Sequence, residues 1–218
     1  MQYLKKISKT RRKIMVSLLL GLVGAVAICL IACSTTELEE RCFPMLVAVG
    51  QEDGKVSYFA AFSKQDETKN AFRVKEKTFE ESKTKYEGRL NKDADYNHLK
   101  VLVFEDDFLE NASTYGEMLD HLAQTEDFPR NAYVCAVEDV DDLLELEKNA
   151  SQDLGTYLEE YLKQKEEKKD RLLTLGDLLD ERANQSMVLY MPYLEIEENF
   201  VEWKGYMNTS GKSWQESD

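Results

Sequence analysis

Apolar residues recur along this chain in short blocks whose spacing alternates between that of a strand and that of a helix. The pattern predicts strands at 43–49, 56–62, 98–104 and 132–137, and helices that begin near residues 78, 114, 139, 156 and 174. The runs at 98–104 and 132–137 are almost continuously apolar, which is typical of strands buried on both faces. Strands that alternate with helices predict an α+β fold, with one mixed β-sheet flanked by helices in a single domain.

Turn and cap residues mark the ends of several elements. The segment 52–55, Glu-Asp-Gly-Lys, has the chemistry of a two-residue hairpin turn between the first two strands. Thr78 with Glu81, and Thr114 with Glu117, have the spacing of capping boxes and predict two helix starts.

Three further segments give weaker signals. Residues 63–76 are polar and predict irregular structure. The apolar stretch 187–193 contains Pro192, which lacks a backbone donor, so we expect an edge strand there. Ser210-Gly211-Lys212 predicts a last hairpin in the tail.

The N-terminus has a separate pattern, a basic segment followed by an apolar run at 14–32. The run has 19 residues, and at about 1.5 Å per residue a helix of this length spans roughly 28 Å, close to the thickness of a bilayer core. The basic residues before it favour a cytoplasmic N-terminus. They are Lys5, Lys6, Lys9, Arg11, Arg12 and Lys13.

The end of this run has the form of a bacterial lipoprotein signal. Leu30, Ile31 and the small residue Ala32 precede Cys33, and polar sequence follows at once. We therefore interpret residues 1–32 as a signal peptide, Cys33 as the lipidated first residue bearing acyl chains such as palmitate, and residues 33–218 as one extracytoplasmic domain. An uncleaved transmembrane anchor is the alternative. Both place the domain on the outer face of the cytoplasmic membrane.

The acidic composition excludes some classes of partner. Six of the 28 Lys and Arg residues lie in the signal and none of the 42 acidic residues does, which leaves 22 basic residues and a net charge of −20 for the exported part. Such a surface repels phosphate groups, so we expect no nucleic-acid partner.

Two cysteines remain on the exported side, Cys42 and Cys135, both in apolar stretches. The simpler interpretation is two buried thiols that pack as small apolar residues. A disulfide between them is the alternative, because such bonds persist outside the cytoplasm.

The residues that could perform chemistry do not form a recognisable catalytic or metal motif. His98 and His121 lack the partners of a metal site, and neither a phosphate loop nor a nucleophile motif is present. Acidic residues follow two predicted strands, at 105–107 and at 138–142. They could bind Ca²⁺, but without the alternating spacing of a calcium loop we interpret them as helix caps. We therefore expect no enzyme activity, no metal and no cofactor.

Aromatic residues are frequent in the last third of the chain. Most of them should lie in the core, and some could line a protein interface. They are Tyr157, Tyr161, Tyr190, Tyr193, Trp203 and Trp214.

Several segments, in their order after the lipobox, resemble one known family. The segments are Glu37-Leu38-Glu39-Glu40-Arg41, Leu46-Val47-Ala48-Val49-Gly50, Lys77-Thr78-Phe79-Glu80-Glu81, Asn97-His98-Leu99-Lys100-Val101-Leu102-Val103 and Phe128-Pro129-Arg130-Asn131-Ala132-Tyr133-Val134. Over about residues 30–200 the chain resembles the N-terminal domain of the C subunits of bacterial spore germinant receptors, the Ger(x)C lipoproteins.

The resemblance implies a non-catalytic lipoprotein on the spore inner membrane that works with integral-membrane receptor subunits when nutrients trigger germination. A small solute-binding or general cell-envelope lipoprotein is the alternative.

Overall fold

The structure is a computed structural model that describes residues 41–63, 71–166, 172–184, 189–197, 200–209 and 214–216. Its strands are β1 (Arg41–Cys42), β2 (Pro44–Glu52), β3 (Lys55–Phe62), β4 (Arg73–Glu76), β5 (Asp93–Ala94), β6 (Val101–Glu105), β7 (Tyr133–Val137), β8 (Tyr190–Glu197), β9 (Phe200–Asn208) and β10 (Trp214–Glu216). Its α-helices are α1 (Phe79–Glu87), α2 (Asp106–Glu110), α3 (Ala112–Thr125), α4 (Val140–Asn149), α5 (Leu154–Glu166) and α6 (Leu175–Asn184).

One mixed sheet organises these elements. Eight strands pair in the order β10-β9-β8-β7-β6-β2-β3-β4, while β1 and β5 form a separate two-stranded sheet. The four central strands β8, β7, β6 and β2 run parallel, and the outer pairs on both sides are antiparallel. The predicted α+β fold, a mixed sheet flanked by helices, is confirmed.

The central strands are buried on both faces, so helices cover the sheet on two sides. In β6, Leu102 and Phe104 pack into one apolar cluster, and Val101 and Val103 pack into the other. Helices α1, α2, α3 and α6 contribute to the first cluster, whereas α4 and α5 contribute to the second. Because every residue of β6 is buried, its sequence is continuously apolar up to Glu105.

The first hairpin has the turn that its sequence predicts. Asp53 and Gly54 lie between β2 and β3 with φ angles of 53° and 71°. Two consecutive left-handed residues are what the favoured two-residue hairpin turn requires, and Asp-Gly accommodates them at low cost.

The expectation of irregular structure over 63–76 is wrong for its last part. Residues Arg73–Glu76 form β4, which pairs antiparallel with β3. Val74 is buried, whereas its neighbours in the strand are half-buried and charged, so no apolar alternation marks the strand. Charged side chains are common on edge strands because they oppose pairing with other chains.

The second capping box is also wrong, because the helix begins earlier than predicted. Asn111 is the N-cap of α3, and its side-chain oxygen accepts a hydrogen bond from the backbone N–H of Thr114 at 3.3 Å. Glu117 instead accepts a hydrogen bond from the hydroxyl of Ser113. The first box is confirmed at the N-cap, where Thr78 accepts from the backbone N–H of Glu81.

The strand that contains Pro192 is not at the edge of the sheet. β8 lies between β7 and β9, and it pairs with β7 through Tyr193 and Leu194. Pro192 therefore precedes the residues that pair with β7, which explains why a residue without a backbone donor is tolerated. The last predicted hairpin is confirmed by antiparallel pairing of β10 with β9, although its turn residues lie outside the described part of the chain.

Helix α5 crosses β2 very closely at Gly155. A Cβ atom at this position would lie 2.5 Å from the carbonyl carbon of Met45 and 2.7 Å from its Cβ. Real Cβ atoms essentially never approach other atoms within 3.0 Å, so the helix would have to move away from the strand.

We expect Gly155→Ala to lower the free energy of unfolding by about 1–3 kcal/mol, because overpacking outweighs the helix-propensity gain of about 1 kcal/mol. Urea unfolding followed by tryptophan fluorescence measures the change. Glu160→Ala, at an exposed position of the same helix, is the control and should stay within about 0.5 kcal/mol. Equal stability of the two variants would contradict the close packing.

Candidate functional site

The carboxyl ends of the parallel strands form a polar edge of the sheet. In parallel sheets, ligands bind outside this edge, so it is the first place to look for a site. Both acidic groups predicted from the sequence, 105–107 and 138–142, lie here at the ends of β6 and β7. The edge therefore brings together groups that are about thirty residues apart in the chain.

Glu105 is the buried centre of this edge, with 8% of its surface exposed. Its Oε2 accepts a hydrogen bond from the backbone N–H of Gln51 at 2.7 Å, and its Oε1 accepts one from the N–H of Val140 at 3.3 Å. The carboxylate thus fastens the end of β2 to the first residue of α4. Burial raises the pKa of Glu105, although the two N–H donors act in the opposite direction.

Gly50 leaves the space that Glu105 occupies. A Cβ at residue 50 would lie 2.8 Å from the carboxyl carbon of Glu105 and 2.9 Å from Oγ of Ser57. Ser57 is fully buried, and its hydroxyl has no hydrogen-bond partner among the residues that the structure describes. A buried hydroxyl and a buried carboxyl group therefore adjoin the same small space.

Arg73 connects three elements beside Glu105. Its side chain is 11% exposed, and it forms ion pairs with Asp141 of α4 at 2.9 Å and with Glu52 at the end of β2. Lys75, also on β4, pairs with Glu52. Hydrogen bonding by Lys75 lowers the pKa of Glu52. Sequence reasoning missed Arg73 because the strand that carries it has no apolar alternation.

Asp139 acts as a helix cap, as the sequence predicts. Its side chain accepts a hydrogen bond from the backbone N–H of Asp141 at 2.7 Å, at the start of α4. The first acidic group differs from this: Glu105 is the N-cap of α2 without a side-chain cap hydrogen bond, and Asp106, the first residue of α2, accepts from the N–H of Asp107. The cap interpretation is therefore wrong for 105–107, whose two aspartates lie in the first turn of the helix. Burial, with repulsion from neighbouring carboxylates, raises the pKa of Asp106 and of Asp142.

The pKa of Tyr193 reflects the high density of negative charge at this edge. Burial, together with Asp106 and Glu138, raises its pKa to about 12. Both acidic segments therefore lie close enough to act on one phenol group.

Among the described residues, Glu195, Glu197 and Glu202 bring three carboxylate oxygen atoms within 4.8 Å of one another. Lys204 forms ion pairs with two of them, Glu195 at 2.5 Å and Glu202 at 2.8 Å. The ammonium group compensates the charge that a metal ion would otherwise balance, so we assign no metal to this group.

The two histidines lie away from this edge. His98 packs its ring edge-on against Phe43, with ring centroids 4.9 Å apart. His121 lies on α3, where its ring contacts Phe79 at 5.8 Å and faces Glu80.

Cys42 and Cys135 are both buried thiols, and they pack into the apolar clusters on opposite faces of the main sheet. A disulfide requires Cα atoms within about 7 Å of each other and Cβ vectors that converge. Because the sheet lies between the two residues, this structure does not contain the bond. Burial raises the pKa of Cys135. The thiol of Cys42 donates weakly to the carbonyl of Asp93 at 3.6 Å.

The aromatic residues divide between core and surface. Trp203 is buried, with Tyr161 and Tyr157 packed against the same cluster, and the hydroxyl of Tyr161 accepts a hydrogen bond from the backbone N–H of Trp203. Two aromatic residues are exposed, Tyr190 with 43% and Phe200 with 51% of its surface accessible. They lie at opposite ends of the β8–β9 pair and do not form a joint patch.

The predicted lipobox, Leu30, Ile31, Ala32 and Cys33, lies outside the described residues. Within the residues that the structure describes, no helix has both the length and the apolar character needed to cross a membrane.

Taken together, the fold and its polar contacts define an α+β domain whose acidic and basic side chains fasten strand ends to helix starts. A family model described as "Spore germination protein N-terminal domain" matches residues 34–196. Because this match covers well over half of the chain, the protein belongs to that family of spore germination proteins.

A solved structure titled "Crystal Structure of the GerBC protein" aligns at 11% identity with a TM-score of 0.41. The alignment covers 78% of this chain and 51% of that one, so the chain spans about half the length of GerBC. A comparison with curated proteins gave no match.

If Asp139 acts as a helix cap and not as a calcium ligand, substitutions in this acidic segment should change stability according to their position in the helix turn. The changes should be the same with and without calcium. We expect Asp139→Ala to lower the free energy of unfolding by about 1 kcal/mol, because α4 loses its N-cap. Asp142→Ala in the same turn removes a repelled carboxylate without a cap, so it should be neutral or slightly stabilising. Thermal unfolding with and without added Ca²⁺ measures both. A melting temperature that rises with Ca²⁺ in the wild type and not in Asp139→Ala would contradict the cap interpretation.

Proposed function

We propose that this protein is a lipid-anchored, non-catalytic subunit of a nutrient germinant receptor, with residues 1–32 removed as a signal peptide. The observation that carries the proposal is the position of the family match. The match begins at residue 34, directly after Cys33 of the lipobox. A domain of a spore germination family thus starts where the lipoprotein signal would leave the mature N-terminus.

The anchor would act by confinement. Each buried methylene of an acyl chain contributes about 0.8 kcal/mol, so two chains hold a protein at a membrane where one binds reversibly. A domain confined to the surface meets integral-membrane partners at a raised effective concentration. The domain then needs only a modest intrinsic affinity for the receptor subunits.

The contacts at the carboxyl edge support a structural role for the polar groups. Glu105, Arg73 and Asp139 each bond to groups of the domain itself, across β2, β4, β6 and α4. Side chains arranged in this way fix the geometry of the domain for contact with a partner, which favours a binding subunit over an enzyme.

We expect Cys33→Ala to abolish incorporation of an alkyne fatty acid in the native host and to retain the unprocessed mobility of the precursor. The matched control is Cys29→Ala, which changes a cysteine inside the apolar run and should leave the label intact. Unchanged labelling of Cys33→Ala would overturn lipidation at this residue. Membrane attachment without label in the wild type would favour an uncleaved transmembrane anchor.

The receptor assignment has its own test. We expect integral-membrane germinant-receptor subunits to co-purify with the tagged wild-type protein from detergent-solubilised spore membranes, and much less with Cys33→Ala expressed at the same level. Absence of the protein from spores, with recovery from membranes of growing cells, would contradict the receptor role and favour the solute-binding lipoprotein.

A further inference from the structure

Two segments, 93–99 and 126–131, lie side by side at the amino edge of the main sheet. They lead into β6 and β7, which are parallel neighbours, so the chain reaches this edge twice. Regular structure in the two segments is limited to β5 and one turn of 3₁₀-helix at Tyr96–His98. Segments of this kind belong to the less stable parts of a fold, which open before the core strands do.

Each segment buries an aromatic ring of the other. The ring centroids of Tyr96 and Phe128 are 4.7 Å apart, and each of these residues is only 4% exposed. Moving either segment away therefore removes the cover from a ring that the other segment contributes. Because exposing apolar surface to water is unfavourable, the contact between the rings opposes the opening of one segment alone. Once one segment has opened, the second opens at a lower cost.

Lys83 of α1 contacts both segments. Its ammonium group forms ion pairs with Asp127 at 3.0 Å and with Glu87 at 3.1 Å, and it lies 5.1 Å from the ring centroid of Tyr96. Glu87 also accepts a hydrogen bond from the hydroxyl of Tyr96 at 3.0 Å. Because the side chain of Lys83 is only 13% exposed, water cannot fully replace a partner that it loses. Opening of either segment is therefore opposed at the same ammonium group.

The backbone at the start of the second segment gives independent support. Glu126 ends α3 with a φ of 52°, in the left-handed region that non-glycine residues occupy only at a cost in free energy. Such a conformation persists where neighbouring contacts impose it. The next residue, Asp127, is held by its hydrogen bond from the ammonium group of Lys83. Loss of that contact therefore also allows the backbone at Glu126 to leave the unfavourable conformation.

We propose that segments 93–99 and 126–131 form one strap, fastened to α1 by Lys83 and Glu87, which opens and closes as a cooperative unit while the main sheet stays folded. The exposed side chains of the strap include those of Asn97, His98, Arg130 and Asn131. Opening rearranges this surface as a whole, so a partner that binds one segment in its closed form also orders the other segment.

Native-state hydrogen exchange of the full-length wild-type protein in mild detergent tests the strap without any substitution. The amide of Asp95, which donates to the carbonyl of Cys42, reports the first segment, and the amide of Ala132, which donates to the carbonyl of Pro129, reports the second. As urea is added, we expect the opening free energies of these two amides to merge at a value below that of the β6 amides. Two separate values, or a value equal to that of β6, would overturn the proposal.

Asp127→Ala distinguishes one unit from two independent segments, because it removes an ion pair of the second segment. If the segments opened separately, only exchange at Ala132 would accelerate. We expect exchange at Ala132 and at Asp95 to accelerate by the same factor, about threefold for a partly exposed ion pair. Glu76→Ala is the matched control: it removes an ion pair with Lys85 that opening of the strap leaves intact, so exchange at both amides should stay unchanged. Acceleration at Ala132 alone in Asp127→Ala, or at neither amide, would contradict the strap.

Discussion

Burial of β6 and β7 on both faces is the constraint on which the rest of the structure depends. A strand with apolar residues on both sides needs a layer of helices above and below it, and the chain supplies α1, α2, α3 and α6 on one side and α4 and α5 on the other. Polar side chains are thereby displaced to the strand ends. The carboxyl edge is polar because the strands leave the apolar layer there.

Glu105 shows what happens at that boundary. It is the last residue of β6, still buried, and its carboxylate replaces the pairing that the ladder no longer provides by accepting N–H groups from β2 and α4. Gly50 is needed opposite it because any side chain would occupy the same volume. Arg73, on the edge strand β4, forms ion pairs with Glu52 of β2 and Asp141 of α4 beside it. One buried carboxylate therefore joins elements that are distant in sequence, and it does so where the structure can least tolerate an unpaired charge.

The strongly periodic parts of this fold could be predicted from the sequence. The buried strands, the Asp53-Gly54 turn, the Thr78 and Asp139 caps and the two acidic strand ends follow from local rules, because each is specified by a few adjacent residues. β4, the Asn111 cap and the role of Arg73 could not be predicted. Their identity depends on which residues meet through the sheet register, and a single sequence does not specify the register between distant strands.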